Sequence, residues 1–364
     1  MYKNIISKGL PPGNPFLFKP LKYPCNYLNK FIFAGIFFLC SFNLQAQTLE
    51  WDIGFFGFAD NREYSASGRE SPTLIGLQFS PEVGLLMDST HRIRFGINVL
   101  HEYGSNNISS KINPTIYYNY KKKDINFYMG VFPRVGLVDN FSKALLSDTL
   151  QYYRPNLSGM LFRYEKQKIF QQLWIDWNSK QSETQREQFL VGISGNIKFG
   201  DFFFGHEAVL WHNALPKNAD ANTHLQDNAA VTARLGMDLS PKVKLDSLMI
   251  SGGGLFSFDR DRGIGTWQKP KGVLLEGHAA YKAFYIHNIL YFGDSQKIAL
   301  GDSFYSEKRY NRLDIGWAPF RNRRLSAKLA MSFHFTPGAV ANQQTLYLRY
   351  NIGAEHKLRA SWIK

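Results

Sequence analysis

Between residues 169 and 204 the chain reads IFQQLWIDWNSKQSETQREQFLVGISGNIKFGDFFF, and its apolar side chains recur at every second position. Ile169, Leu173, Ile175 and Trp177 share one parity; Gln172, Trp174, Asp176 and Asn178 share the other. That is the period of a strand with two unlike faces. The second arm repeats it, with Phe189, Val191, Ile193, Ile197 and Phe199 set against Leu190, Gly192, Ser194, Asn196 and Lys198. A polar loop, SKQSETQRE, separates the arms, and Gly200-Asp201 turns the chain tightly into the next aromatic run.

The same unit recurs along the chain. Strands are predicted over 49–58, 73–87, 92–100, 112–120, 125–134, 156–164, the two arms above, 202–212, 228–239, 248–258, 273–281, 284–292, 310–320 and 325–335, with a last strand from about Thr345. The segments ADNREYSASGRES and TPGAVANQQ read as loops. The tally is 16 strands with long and short connections alternating, the pattern of an all-β, transmembrane antiparallel barrel. Strands of about 9 to 11 residues cross the hydrocarbon when tilted. An open sheet edge has no partner in lipid, so the first and last strands must pair. Tyr117, Tyr118, Tyr120, Trp51, Trp177, Trp211 and Trp317 are candidates for interfacial girdles.

Upstream, Lys30 precedes an apolar run of 12 residues, FIFAGIFFLCSF, and then NLQAQ. This is too short for a spanning helix and fits a secretory signal cleaved after Ala46 or Gln47. The expected organisation is a signal peptide and upstream leader over 1–46 and an outer-membrane barrel over 47–364. Both cysteines, Cys25 and Cys40, fall in the leader, so the mature chain has neither disulfides nor a thiol nucleophile. Loss of five leader lysines lowers the net charge from +14 to +9. That basicity suits anionic lipid, lipopolysaccharide or an anion-favouring pore; an exported chain without a basic cluster is not expected to bind nucleic acid. Without a long plug domain before the first strand, a gated active transporter is not expected.

The stretches ALLSDTLQYYRPNLSGMLFRY and WIDWNSKQSETQREQFLVGISG, with the QAQ signal end, resemble porin-like outer-membrane barrels of Bacteroidota whose function is unassigned. The resemblance implies location more than activity.

Candidate chemistry lies on the inward parity, because a barrel of this size leaves room for an aqueous channel. The pore-lining candidates are Arg92, Arg94, Arg134, Asp139, Asp148, Asp176, Arg234, Asp314 and Arg349, a mildly basic mixture that would either select solutes or merely hydrate the wall. The long connection after the fifth strand is either folded inward, setting Asp139 and Asp148 opposite Arg92, Arg94 and Arg134, or an external lid. Tyr152, Tyr153 and Trp174 are either a sugar-stacking surface or girdle aromatics. Enzyme signatures are weak. His101-Glu102 and His206-Glu207 lack the second histidine of H-E-x-x-H, GISGN departs from a nucleophile elbow, the GDS triplets read as loop composition, and DRDRG lacks the later calcium ligands. The chain is therefore expected to be a monomeric or trimeric passive pore for small polar solutes with a slight anion preference. No catalytic residue, metal or cofactor is expected, and its partners would be lipid, solutes and the barrel-assembly machinery. The alternatives are a barrel enzyme acting on lipid or envelope polymer, and a nonconducting barrel that binds polysaccharide or a partner protein.

Overall fold

The computed structural model describes residues 47–357, apart from 108, 110, 139, 140 and 323. The predicted leader, the parity expected at Leu358 and Trp362, and Asp139 lie outside the described residues. The strands are β1 (Gln47–Glu63), β2 (Thr73–Met87), β3 (His91–Glu102), β4 (Lys111–Lys122), β5 (Ile125–Pro133), β6 (Asn156–Lys166), β7 (Ile169–Ser179) and β8 (Gln188–Phe199). They continue with β9 (Phe202–Asn213), β10 (Gln226–Asp238), β11 (Ser247–Asp261), β12 (Lys271–Tyr281), β13 (Phe284–Gly293), β14 (Arg309–Arg321), β15 (Leu325–Thr336) and β16 (Ala339–Lys357). Each pairs with its neighbours in sequence and β16 returns to β1, so the sheet is a closed antiparallel barrel without an edge.

Alternation fixes which face is which. On β2, Ile75, Phe79, Val83 and Leu85 are exposed on the exterior while Gln78 and Leu86 are buried inside. On β15, Leu329, Met331 and Phe335 face out while Ser332 and His334 are buried. A slip of one residue would invert every such pair, and an Arg or Lys carried to mid-bilayer would cost about 2–4 kcal/mol. Register is thereby set in every hairpin. Pro319 coincides with a register shift between Trp317 and Phe320 on β14, where a residue without an N–H cannot serve the ladder.

One end of the barrel carries tight turns. Lys123, Gln167, Gly200 and Lys282 adopt positive φ there, as two-residue hairpin turns require. The other end carries long connections, with one departure from expectation. TPGAVANQQ is not a loop: β16 begins at Ala339, immediately after a turn at Pro337-Gly338, and Asn342 pairs with Phe333 on one side and Glu63 on the other. Beyond the hydrocarbon the ladder needs no oily exterior, so β1 and β16 extend outward with polar residues on both parities.

The expected girdle is partly realised. Tyr118, Tyr120, Trp51, Trp177 and Trp317 share the exterior parity of their strands, but Tyr117 is buried inside, where its hydroxyl donates to Glu82 at 2.9 Å. Trp211 likewise packs against the interior cluster.

Candidate functional site

The third and the seventh of the long connections enter the barrel. The third, residues 134–155, carries a short helix, α1 (Thr149–Tyr153), and the seventh is residues 294–308. Val138, Phe141, Ala144, Leu145 and Leu146 of the first and Phe304 and Tyr305 of the second are buried with Phe132, Leu157, Leu161, Trp174, Leu190, Val209, Ala230, Leu255, Tyr291 and Tyr310 of the wall. A second cluster, Phe56, Phe58, Leu100 and Tyr152, fills the side of β1 and β3. The third loop is therefore an internal plug rather than a lid. Trp174 of the wall packs against the plug and Tyr152 is part of it, and both are too buried to stack on a sugar or to form a girdle.

Named contacts hold the plug. Ser142 N donates to Glu207 at 2.6 Å, Arg163 donates to Leu137 O at 2.7 Å, and Ser147 N donates to Leu300 O at 2.8 Å. Phe141 meets the Trp174 ring edge-on at 5.6 Å. The indole lies across Gly192 so closely that any side chain there would displace it. At the root of the loop Arg134 donates to Asp176 at 2.5 Å and to Arg154 O at 2.9 Å, while Asp176 also accepts from Ser158 N at 2.9 Å. Asp176→Asn is expected to destabilise the barrel by about 3 kcal/mol, because a buried guanidinium loses its counter-charge. A lower unfolding midpoint in detergent, read by heat-modifiable migration, would bear this out; an unchanged midpoint would not.

The other sequence candidates all face inward, but not in the arrangement expected. Arg92 and Arg94 donate to Glu50, each at 3.0 Å, and Arg94 lies 3.5 Å from Glu82. Arg234 bridges Glu207 and Glu276, both at 2.9 Å. Arg349 lies 3.7 Å from the Phe56 ring centroid and donates to Gln151 Oε1 at 3.1 Å. Asp148 does not oppose Arg92, Arg94 or Arg134. It takes Lys143 at 2.6 Å and approaches Arg312 at 4.0 Å, and Arg312 also binds Asp314 at 2.7 Å and Asp302 at 3.4 Å. The transverse field across a constriction is thus replaced by locally neutralised clusters against the plug.

Burial pushes the Asp148 carboxyl up, but Lys143 and Arg312 outweigh it and hold it at about 2. Its folded value lies below its unfolded one, so its contribution is complete above about pH 4 and disappears as pH falls through about 2. Protease protection of residues 134–155 should accordingly persist at pH 4 and weaken toward pH 2. Loss of protection already at pH 5 would contradict this anchor.

Another dense polar constellation among the described residues lies where α1 meets the outer ends of β1, β2 and β16. Asp60, fully buried, accepts from Gln343 Nε2 at 2.7 Å on one oxygen. Its other oxygen accepts from Arg62 at 2.7 Å and 3.1 Å and from the Tyr152 hydroxyl at 3.1 Å. Tyr152 and Tyr347 share a 2.5 Å hydrogen bond, and Gln151 Nε2 donates to Tyr347 at 3.3 Å. With Tyr152 donating to Asp60, the relay runs from Gln151 through both phenols to the carboxylate. The Tyr152 ring is stacked on Phe58 at 4.4 Å, and Gln78 binds the carbonyls of Gln151 and Tyr152 at 2.9 and 2.8 Å. Burial, then the neighbouring Tyr347 and Asp60, push the Tyr152 phenol far above its ordinary range, so it remains a donor. Such a site offers one carboxylate and several fixed donors, the elements of general-base catalysis with oxyanion stabilisation.

Asp60 was hidden within a segment read as loop. The equal outward extension of the partner strand through Gln343 and Thr345 is the signal that marks it as strand. The serines of the GDS triplets do not join His287, whose ring instead contacts Glu276 at 2.7 Å. Asp259 of DRDRG accepts from Asn228 Nδ2 at 2.9 Å and pairs with Lys297 at 2.5 Å.

Residues 43–355 match the family described as Lipid A 3'-O-deacylase-type. The chain belongs to that family. Its members are named for an enzyme activity, which overturns the expectation that the chain is not an enzyme. No curated protein matches it. Among solved structures, a loop-deletion mutant of the outer membrane protein OmpT of Vibrio cholerae is similar at 9% identity and a TM-score of 0.53, over 84% of this chain and all of that one. An anion-selective porin from Comamonas acidovorans is similar at 10% identity and TM-score 0.48, over 84% and 99% of the two chains. OpdK of Pseudomonas aeruginosa, solved with vanillate, is similar at 10% identity and TM-score 0.44, over 84% and 99%. At such identity the likeness to OmpT shows the fold alone. This member of the lipid A 3'-O-deacylase-type family is an integral outer-membrane barrel of 16 strands.

Proposed function

We propose that the chain hydrolyses an acyl ester of a lipid A-type glycolipid at the junction of α1 with β1 and β16. The observation that carries this reading is Asp60. A buried carboxylate is expensive unless several donors hold it, and here four hydrogen bonds do so at the height where β1 ceases to be apolar on its outer parity. Asn61, the next residue, bears the exterior parity and donates to Gln344 Oε1 at 2.6 Å, so the same rim presents polar groups to both lumen and lipid.

In this reading Asp60 takes a proton from water as the oxygen attacks the acyl carbon. As Asp60 takes up that proton, Tyr152 and Arg62 turn their donors from the carboxylate to the oxyanion, the acyl carbon–oxygen bond breaks, and the proton passes to the departing sugar oxygen. Arg62 covers the carboxylate and is itself partly exposed, so a swing of its guanidinium from Asp60 toward the arriving ester both opens the entry and brings it to the oxyanion. Family membership supports the reaction class, and the two loops packed into the lumen favour it over passive diffusion. The test is incubation of the folded barrel in detergent with purified lipid A, followed by mass spectrometry. Release of one fatty acyl chain supports the proposal; an unchanged lipid after prolonged incubation with protein that keeps its heat-modifiable migration overturns it.

A further inference from the structure

We propose that the outer rim of β9, β10 and β11 binds the phosphate of a phosphorylated outer-leaflet lipid, on the exterior of the barrel and apart from Asp60. The inference does not depend on the hydrolase reading. Parity places the groups: Asn228 and Ser257 are buried inside, so Asp227 and Arg260 lie on the exterior parity with Leu235 and Phe258. Asp227 stands directly opposite Arg260 on one side and His212 on the other. It accepts from Arg262 at 2.6 and 3.0 Å and from Arg260 at 3.1 Å, with His212 at 3.5 Å.

One carboxylate thus gathers two guanidinium groups and an imidazole, leaving a cationic surplus. Arg260 Nε is buried and has no hydrogen-bond partner among the described residues. Arg186 reaches the same corner, donating to His224 O at 3.0 Å, while Arg262 N donates to Leu225 O at 2.8 Å.

The occupant follows from what lies beside these charges. Arg260 sits 4.4 Å from the Trp267 ring centroid, and His212 is stacked at 4.8 Å on Phe189, itself 5.1 Å from Trp177. Aromatics of this kind mark the interface between hydrocarbon and headgroups. Forked guanidinium donors immediately above it match a phosphate oxygen pair better than a point cation would. A phosphate tethered to acyl chains satisfies both layers, whereas a free phosphate has no use for the aromatic belt.

The experiment compares diphosphorylated lipid A with its dephosphorylated form on the full barrel in detergent, scored by native mass spectrometry. Arg260→Gln with Arg262→Gln should weaken retention of the phosphorylated lipid roughly twenty- to thirtyfold, the factor expected from about 1 kcal/mol for each basic group lost, and leave the dephosphorylated lipid unaffected. Asp227→Asn removes the internal competitor and should hold the phosphorylated lipid at least as tightly as the parent. Weaker retention in Asp227→Asn, with migration intact, would mean that the cluster is only an internal ion network and would overturn the proposal. Equal retention of both lipids by the parent, or full displacement by millimolar inorganic phosphate, would also overturn it.

Discussion

Asp60→Asn is expected to lose acyl-ester hydrolysis by a factor of about 10²–10⁴ while the barrel still folds. The substitution preserves side-chain volume and removes the base, and general-base catalysis contributes about that much. Tyr152→Phe separates the donor from the base. It leaves Asp60 charged and the stack on Phe58 in place, so its loss should be about 10²–10³, the scale for one missing oxyanion donor. Tyr347 does not touch Asp60 and acts through Tyr152, so Tyr347→Phe should cost less than Tyr152→Phe. The measurement is the rate of fatty-acid release, with heat-modifiable migration confirming fold in each variant. If Asp60→Asn retains the parent rate, the base lies elsewhere in the barrel. If it loses migration as well as rate, Tyr152→Phe decides, because that change removes no charge.

The barrel was legible in the sequence because lipid and water demand opposite side chains at alternate positions. β2 occupies the predicted residues, 73–87, since from Ile75 to Leu85 its exterior parity is apolar throughout while Gln78, Ser80 and Glu82 lie on the other. Where that demand ends, legibility ends too. From Asp60 to Glu63 and from Ala341 to Gln344 both parities are polar or small, and the strands are held by the backbone ladder between β1 and β16 and by polar side chains rather than by an apolar face. The candidate base lies in that stretch, which explains why it was missed. Glu50, the partner of Arg92 and Arg94, is legible only by the parity of β1. The interior posed a different problem. Sequence parity identified Arg134, Asp176 and Arg234 as inward, yet inward does not mean facing water. Whether a loop enters the lumen depends on long-range contacts such as Phe141 with Trp174, which no local pattern carries.

The parent barrel is expected to be silent in planar bilayers, and replacing residues 136–153 by a short Gly/Ser linker is expected to make it open in discrete, stable conductance steps. The ends of the loop are already adjacent, because Pro133 pairs with Asn156 across β5 and β6, so a short linker closes the gap without strain. Removal strips Phe141, Leu145, Leu146 and Tyr152 from the interior, and each buried side chain of that size contributes about 1.5–3 kcal/mol. The variant should therefore unfold more easily than the parent. It should still assemble, because the closed hydrogen-bonded sheet does not depend on the loop, and a wall of 16 strands leaves an aqueous passage. Phe304 and Tyr305 of residues 294–308 would still narrow that passage, so deleting both loops should enlarge the steps further. Arg92 and Arg94 remain shared with Glu50 and Glu82, which limits any anion preference of the opened barrel. Large steady steps from the parent protein would show that the third loop is not the closure, and a silent double deletion would place the seal in the wall itself.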